Sequence, residues 1–302
     1  MIEIVKINTL KWQDLLSSFE DNVFCHHAFF DAVKKASSKS LSYYAIYFKD
    51  ELFALFYYCG YSKFGIKFAR TPLFMTYTGL LTKKDMHPSS YERRLFETQY
   101  KIANFLKHYN VVDIFMPLSE KDMRGFLWSG FDVKIYYTRI LSLKNTDITY
   151  SARKQIKKFE KLGEFGKTTD FETVSNLVLQ SYKRRKEKLP CDKAYIRNLI
   201  ETISKYGLCD IFCARIGEKI HAVRAILKYR DKIYDWLAGS TDEGLKLGAN
   251  SFLIHNIIEY YKDNYDILDF LGVNKPSISI FKSNFGGELK SYFGIHKRWL
   301  KF

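Results

Sequence analysis

The sequence predicts an α/β protein with mixed sheets, built from two tandem copies of one folding unit with a cleft between them. Segments with the alternating pattern of strands and segments with helical spacing follow each other along the chain. Phe115 and Phe270 end predicted strands 155 residues apart, and Phe126 and Phe281 lie in the following predicted helices at the same separation. A chain of 302 residues also has about the length of two domains of roughly 150 residues each.

The first half alternates between β-rich and helical segments. Aromatic and apolar residues on both sides of the polar turn at 49–51 predict a hairpin. Apolar residues at helical spacing from Leu95 to Leu106, after Ser89 or Ser90 as a cap, predict a long helix. The predicted elements are a strand at 2–7, helices near 11–19 and 27–36, hairpin strands at 42–48 and 52–60, a helix at 89–109, a strand at 111–117, a short helix at 119–128 and a strand at 131–143.

The second half repeats this order after a basic helix at 150–162. Gly163 is predicted to end that helix in the left-handed conformation, after a last turn rich in lysine. The predicted elements that follow are hairpin strands at 209–216 and 220–229 about the turn at 217–219, a strand at 231–239, a helix near 248–262, a strand at 266–272, a short helix at 276–284 and a final strand from Glu288.

The polar segment 144–149 lacks apolar periodicity and predicts the junction between two domains. The sequence therefore predicts an N-terminal domain at 1–147 and a C-terminal domain at 148–302. The two hairpin turns lie 168 residues apart rather than 155, so the first half contains about 13 additional residues, which we assign to the loop around 72–80.

Composition predicts a globular protein of the cytoplasm. Hydrophobic residues make up 47% of the chain and charged residues 27%, which is enough apolar surface for a large core. No apolar run is long enough to span a membrane, and the N-terminal residues lack the pattern of a signal peptide. The five cysteines include no C-x-x-C pair, and the histidines are dispersed, which predicts reduced thiols and no metal site.

The formal net charge of +15 predicts attraction to polyanions or to the surface of an anionic membrane. Arg153, Lys157 and Lys161 lie in one i, i+4 row of the predicted helix at 150–162, and a second basic run lies at 182–186. If the two segments pack together, they would form one polyanion-binding surface, with Arg153 and Lys157 as substrate-binding residues. The alternative is an ordinary solvated helix face.

The chain contains no G-x-S-x-G, P-loop or G-x-G-x-x-G motif, so serine hydrolases, P-loop NTPases and standard dinucleotide-binding proteins lose their usual support. Its most specific stretch is Phe-Lys-x-x-Phe-Gly at 281–286, shortly after a predicted strand that ends in an aromatic residue and a glycine. This stretch resembles the second domain of the FemAB-like branch of the GNAT acyltransferase superfamily, which is related to peptidoglycan-bridge aminoacyltransferases.

Three other segments resemble the same family in the same order along the chain. SARKQIKKFEKLG resembles the basic helix that opens the family's second domain, and NVFCHHAFFDAVKK with TPLFMTYTGLL resembles its N-terminal half. The resemblance implies two GNAT-like domains and an N-acyltransferase that transfers an acyl group from acyl-CoA, as co-substrate, to a primary amine of a small molecule or cell-envelope precursor.

Two other functions stay open. The first is an aminoacyl-tRNA-dependent transferase that acts on a cell-wall peptide precursor, which the charge of +15 favours. The second is a non-catalytic binding protein on a degenerate GNAT scaffold. The sequence predicts no particular oligomeric state.

The family pattern implies a set of site residues in the second half. Lys282 is expected to contact the donor or to stabilise the charge of the tetrahedral intermediate, and Phe281 to wall the cleft. Asp269, at the end of a predicted strand, is the candidate base or amine-orienting carboxylate, with Asp235 as a second candidate and Tyr234 as a substrate-binding neighbour. The alternatives are a helix-surface lysine and a strand-end aspartate that caps the following loop.

The family's coenzyme A loop offers backbone N–H groups at a helix N-terminus to a pyrophosphate. The matching segment here is a degenerate Lys246-Leu247-Gly248-Ala249-Asn250. The resemblance therefore implies Gly248, Ala249 and Asn250 as cofactor-binding residues, with an ordinary helix start as the alternative.

Overall fold

The computed structural model describes residues 2–37 and 39–299, which fold into two compact units. Of these residues, the first unit comprises 2–34, 39–136 and 291–299, and the second comprises 35–37 and 137–290.

These units differ from the predicted ranges 1–147 and 148–302. The difference arises because strands β7 (Asp132–Ser142) and β13 (Glu288–Arg298) each begin in one unit and end in the other. Met1, Ser38 and residues 300–302 fall within the predicted ranges but lie outside the described residues.

The first part of the chain carries the elements that surround the β-hairpin. The hairpin and the long helix lie where the sequence predicts them, although the His87 side chain, rather than Ser89 or Ser90, caps the helix. The elements are β1 (Ile2–Ile7), α1 (Thr9–Leu16), a 3-10 turn (Val23–Cys25), α2 (His27–Ala36), β2 (Ser40–Phe48), β3 (Glu51–Lys63), β4 (Ile66–Arg70), β5 (Gly79–Thr82), α3 (Pro88–Leu106), β6 (Val111–Phe115) and α4 (Arg124–Trp128).

In the first unit the strands follow the order β1-β2-β3-β4-β6-β13, and β5 pairs with β3. All of these pairs are antiparallel except β4 with β6, which run parallel. Helix α3 covers one sheet face with apolar residues at helical spacing, including Leu95, Ile102 and Leu106. The aromatic rings of Trp12 and Tyr57 are in edge contact within the core on the other face.

The second part of the chain repeats the order of strands and helices of the first part and has a larger helical content. Gly163 does not adopt the predicted left-handed conformation, since its φ is not positive. A Cβ at Gly163 would lie 2.5 Å from the Arg215 carbonyl oxygen, so close packing is what requires glycine there. The elements are α5 (Tyr150–Glu160), β8 (Glu164–Lys167), α6 (Phe171–Arg184), α7 (Lys193–Lys205), β9 (Cys209–Ile216), β10 (Lys219–Tyr229), β11 (Lys232–Ser240), α8 (Asp242–Leu247), α9 (Ala249–Tyr261), β12 (Ile267–Asp269) and α10 (Pro276–Ser283).

In the second unit the strands follow the order β8-β9-β10-β11-β12-β7. Helices α5 and α9 cover one sheet face around a core that includes Phe159, Phe252 and Phe270. Helix α6 crosses β11 on the sheet so closely that a Cβ at Gly239 would lie 2.4 Å from the Leu177 backbone. Glycine at this position therefore lets helix and strand approach.

The two units share one pairing scheme. Strands β1, β2, β3, β4, β6 and β13 of the first unit pair in the same sequence of directions as β8, β9, β10, β11, β12 and β7 of the second. Phe115 ends β6 and Phe270 directly follows β12, so the residues 155 apart do lie at equivalent strand ends. The predicted tandem architecture is confirmed, with the last strand of each unit supplied by the other half of the chain.

Candidate functional site

The candidate site lies in the second unit, where two parallel strands separate. Strand β11 pairs with β12 over only three positions, which end at Tyr234 and Asp269. Beyond that point β11 continues to Ser240, whereas β12 ends. We call the residues around this position the strand-parting site. Crevices of this kind, at the carboxyl ends of parallel strands, are where open α/β sheets bind ligands.

Lys282 of α10 fills the strand-parting site with its side chain. Its Nζ donates hydrogen bonds to the carbonyl oxygens of Phe270 and Leu271, the latter at 2.9 Å, and lies 3.4 Å from Asp235 Oδ2. An ammonium group has three protons, so all three have an acceptor here. The residue is 9% exposed, which rules out the helix-surface lysine that the sequence left open.

Asp235 joins Lys282 to a second cation. Arg224 of β10 donates from Nη1 to Asp235 Oδ1 at 2.5 Å, and both side chains are almost completely buried. A register shift between β10 and β11 at Ala225 and Ile226 brings Asp235 opposite Ile226 and leaves Trp236 as the extra residue. A bulge of this kind re-aims side chains along a strand.

The buried charged groups shift each other's pKa values. Burial alone would raise the pKa of Asp235, but the charges of Arg224 and Lys282 outweigh it and keep the pKa below its usual value. Burial lowers the pKa of Lys282, and the negative charge of Asp235 opposes that shift only in part. The group is therefore a network of paired buried charges, in which removing one member leaves another uncompensated.

Asp269 serves as the cap of the loop that follows β12. Its Oδ1 accepts from the Thr138 hydroxyl at 2.5 Å and from the Leu271 backbone N–H at 2.8 Å. Asp269 is 2% exposed and Tyr234 is 3% exposed, so both are buried in this structure. This arrangement agrees with the strand-end cap that the sequence analysis gave as the alternative to a catalytic base.

Phe281 packs beside the charged group. Its ring lies 5.6 Å from the Arg224 guanidinium and is in edge contact with Phe285 at 5.8 Å. The ring is only partly buried, so it retains a solvent-facing part beside Arg224. A partly exposed aromatic ring next to a buried cation is consistent with the predicted wall of a binding site.

The degenerate loop differs from a phosphate cradle. Gly248 has φ of +88° and its N–H donates to carbonyls of α8, including that of Leu245. A Cβ at Gly248 would lie 2.6 Å from the Gln155 carbonyl oxygen of α5. Ala249 and Ser251 at the start of α9 are buried as well. Helix α5 therefore covers the N-terminus that the family's loop would leave open to a pyrophosphate.

Asn250 lies beside the end of β11 rather than in an open loop. Its Nδ2 donates to Ser240 Oγ at 3.1 Å, and its buried Oδ1 has no hydrogen-bond partner among residues 2–37 and 39–299. Arg184 donates to the Ser240 carbonyl at 3.1 Å and pairs with Asp242 at 2.8 Å. One member of the second basic run, Arg184, is thus held by hydrogen bonds at the end of β11 while it remains exposed to solvent.

Arg153 and Lys157 lie on the exposed face of α5, as the helical spacing predicts. Ala152, Ile156 and Phe159 form the buried face of the same helix. The predicted row of basic residues therefore exists, and its role as a binding surface stays a prediction.

Sequence reasoning missed Arg224 and Thr138. Arg224 stands in the strand pattern IHAVRAILKY, where a charged residue amid apolar neighbours signals a buried pair, but the sequence does not show that Asp235 is opposite it. Thr138 lies in β7, which the sequence assigns to the first domain, so its contact with Asp269 was outside the predicted second domain.

Residues 147–282 match a protein family described as acetyltransferase (GNAT) domain. The match contains the whole charged group of the strand-parting site. The comparison with curated proteins finds no match.

Solved structures of low sequence identity share the architecture over almost the whole chain. FemX has a TM-score of 0.68 at 12% identity, with 96% of each chain covered. A tandem GNAT protein from the clavulanic acid biosynthesis pathway has a TM-score of 0.59 at 11% identity, with 98% of each chain covered. L-PGS from Bacillus licheniformis has a TM-score of 0.58 at 14% identity, with 98% of this chain and 94% of the other covered.

These comparisons confirm the predicted fold, a FemAB-like arrangement of tandem GNAT units. The matched acetyltransferase (GNAT) domain at 147–282 supports an N-acyltransferase function, as the sequence analysis predicts, whereas the solved structures support the fold. Among the described residues, no helix is both long and apolar enough to cross a membrane, and no group of three His, Cys, Asp or Glu side chains could hold a metal ion. The cytoplasmic location stays a prediction.

Proposed function

We propose that this N-acyltransferase takes its acyl group from aminoacyl-tRNA and transfers it to a primary amine of a cell-envelope precursor. The observation that carries the choice of donor is the closed N-terminus of α9. Gly248 uses its N–H within the chain and packs against Gln155, so this helix start offers no open cradle to the pyrophosphate of coenzyme A.

The exposed face of α5 supports a polyanionic donor. Arg153 and Lys157 are exposed on one side of the helix, and Lys158 reaches from the neighbouring row to the Lys246 carbonyl oxygen at 2.9 Å. With the net charge of +15, this face would attract the phosphate backbone of tRNA and release counterions on binding. A nucleic acid bound in this way gives a steep dependence on salt.

Acyl transfer to an amine needs an activated carbonyl held against the amine and donors for the developing oxyanion. Lys282 first has a positioning role. Its ammonium donates hydrogen bonds to the carbonyl oxygens of Phe270 and Leu271 and thereby fixes the end of β12. To contact the donor, the ammonium of Lys282 would break one of its three hydrogen bonds and donate instead to the carbonyl oxygen of the acyl group. Phe281, which is partly exposed, would line the acyl-binding side.

A binding experiment on the intact protein tests the donor. Affinity for bulk tRNA is measured between about 50 and 200 mM salt for the natural protein and for the double variant Arg153→Glu/Lys157→Glu. The natural protein should bind with a steep negative slope of log affinity against log salt. The variant should bind more weakly and its slope should be shallower by about 1.4–1.8, because each of the two lost phosphate contacts contributes roughly 0.7–0.9.

A matched control is Lys11→Glu/Lys101→Glu, which makes the same change in charge at two exposed lysines of the first unit. Its salt slope should equal that of the natural protein. Equal slopes in all three proteins would contradict the assignment of the α5 face and leave it as a solvated surface.

The second candidate donor is acyl-CoA, which the match to an acetyltransferase (GNAT) domain favours. A ligand at 100 times its dissociation constant raises the free energy of unfolding by about 2.7 kcal/mol. We expect acetyl-CoA and longer acyl-CoAs to leave the unfolding midpoint unchanged. Stabilisation by an acyl-CoA without any tRNA binding would reverse the order of the two donors, and binding of neither would favour the non-catalytic scaffold.

A further inference from the structure

The first unit holds a hydrogen-bonded row of side chains on three strands, separate from the strand-parting site. Asp113 of β6 and His296 of β13 are direct register partners, and His296 Nδ1 lies 2.9 Å from Asp113 Oδ1. The other ring nitrogen, Nε2, lies 3.0 Å from the hydroxyl of Tyr136 on β7. Hydroxyl, imidazole and carboxylate are thus connected in the order that activates nucleophiles in enzymes.

The charges around Asp113 define the direction of these hydrogen bonds. Burial would raise the pKa of Asp113, but the hydrogen bonds from His296 and Arg298 and the charges of Arg298 and Arg70 outweigh it and lower the pKa. An ionised carboxylate only accepts, so a hydrogen lies on His296 Nδ1, and in the neutral imidazole this leaves the Nε2 lone pair free to accept. Tyr136 therefore donates to His296.

Tyr136 retains its proton at neutral pH and needs a base to become a nucleophile. Burial, and then the negative charge of Asp113, raise the pKa of the phenol. His296 is at hydrogen-bonding distance to take that proton. Phe115 contacts the Tyr136 ring edge-on at 4.9 Å and fixes its orientation, while the residue remains only partly buried.

Two guanidinium groups flank the row. Arg70 Nε lies 3.0 Å from Asp113 Oδ2, and Arg298 lies 3.2 Å from Oδ1 of the same carboxylate. One carboxylate thus shares two permanent cations, and the Arg298 side chain is 54% exposed. The excess positive charge would favour negative charge that develops on a bound carbonyl oxygen.

We propose that Tyr136 is a nucleophile that accepts acyl groups from activated carboxylic esters, with His296 as its general base and Asp113 as the positioning residue. Tyr136 Oη bonds to the carbonyl carbon while its proton moves to His296 Nε2. The bond from that carbon to the leaving oxygen then breaks, and the leaving alcohol takes the proton from His296. Water hydrolyses the resulting tyrosyl ester by the same route and restores the phenol.

The test uses 4-nitrophenyl acetate and the intact protein, without tRNA or acyl-CoA. We expect a rapid release of about one nitrophenolate per protein, and an acetyl group on Tyr136 when the modified peptides are mapped by mass spectrometry. Tyr137 is the internal control, because it is the next residue, is 40% exposed and makes no hydrogen bond to His296. Tyr136 should react roughly 10² times faster than Tyr137 or more, since general-base catalysis contributes about that much.

Three variants separate chemistry from structure. Tyr136→Phe should abolish the rapid phase, Tyr137→Phe should keep it, and Asp113→Asn should slow it at neutral pH while leaving Tyr136 as the modified residue. Equal labelling of Tyr136 and Tyr137 in the natural protein would overturn the proposal without relying on any variant. Because Tyr136, His296 and Asp113 all belong to the first unit and the assay contains no tRNA, the result is independent of the outcome for the tRNA donor.

Discussion

In each unit a pair of parallel strands separates at an equivalent position, which leaves a gap between the two strands. The gap contains a charged group in the second unit and neutral groups in the first. In the second unit the gap beyond Tyr234 and Asp269 contains the ammonium of Lys282. In the first unit the pairing of β4 with β6 ends at Arg70 and Asp113, and the gap beyond is filled by neutral groups.

Two threonine hydroxyls close the gap of the first unit. Thr71 Oγ1 accepts from the Phe115 N–H at 2.9 Å and lies 2.6 Å from Thr78 Oγ1, which donates to the Phe115 carbonyl at 3.2 Å. Gly79 follows with φ of +75°, and a Cβ there would lie 3.0 Å from the same carbonyl. The segment around 72–80, which we assigned the additional residues of the first half, therefore blocks the position that remains charged in the second unit. One topology thus places a buried charged group where the parallel strands separate in the second unit and neutral hydroxyls at the equivalent position of the first.

The largest expected effect comes from removing the anion of the charged gap. Asp235→Ala leaves Arg224 and Lys282 buried without their shared carboxylate. We expect the free energy of unfolding to fall by about 3–5 kcal/mol. Urea unfolding measures it, with Asp266→Ala as the control, since its ion pair with Lys144 is exposed to solvent and should contribute little to stability. Similar losses in both variants would contradict the distinction.

Lys282→Met should have a smaller effect on stability, because Asp235 remains paired with Arg224. We expect a loss of about 2–3 kcal/mol, below the range for an unpaired buried charge. A surface lysine would lose almost nothing, but Lys282 is buried, so an unchanged unfolding midpoint would contradict its assigned contacts. In the folded variant kcat should fall further than KM rises, by roughly 10²–10³, if the ammonium meets charge of the transition state. Lys282→Arg, which keeps the charge, distinguishes charge from shape.

The neutral gap should respond least. Thr78→Val removes one hydroxyl and leaves Thr71 with the Phe115 N–H, so we expect a loss of about 1 kcal/mol. Thermal unfolding checks it against Thr169→Val, just before α6, as an exposed control. A loss of stability as large as that of Asp235→Ala would contradict this order, because the neutral hydroxyls would then contribute as much to stability as the buried charges.

The units should also differ in the sign of one pH effect. The pKa of Asp235 is lowered, so its contribution to stability is present above about pH 4 and is lost as the pH falls below the unfolded value. Burial raises the pKa of Glu120 in the first unit, despite hydrogen bonds from Thr82 and Tyr91. Its contribution is present below about pH 4 and declines as the pH rises. Between pH 3 and 7, Asp235→Asn should therefore lose stability relative to the natural protein as the pH rises, and Glu120→Gln should gain it. Parallel changes would contradict the shifts.

Local pattern was enough for the two hairpins, for α3, α5 and α9, and for the offset that relates Phe115 to Phe270, but it did not predict α6 and α7. It failed for β4, β5 and β8, because each is a strand of five residues or fewer and its partners are supplied by distant parts of the chain. The resemblance identified Lys282 and Phe281, but burial of Lys282 depends on carbonyls exposed where β12 ends. That end is defined by pairing in three dimensions, which no spacing in the sequence records.

The crossing of β7 and β13 between units has a consequence for how the chain folds. Asp113 and His296 pair across 183 residues, so strand β6 has no partner on that side until almost the whole chain has left the ribosome. Native pairings between such distant residues slow folding, and an unpaired strand edge promotes aggregation in the meantime. The protein should accordingly depend on chaperones during synthesis, and shortened versions that stop before residue 290 should accumulate as aggregates even though they contain every residue of the strand-parting site.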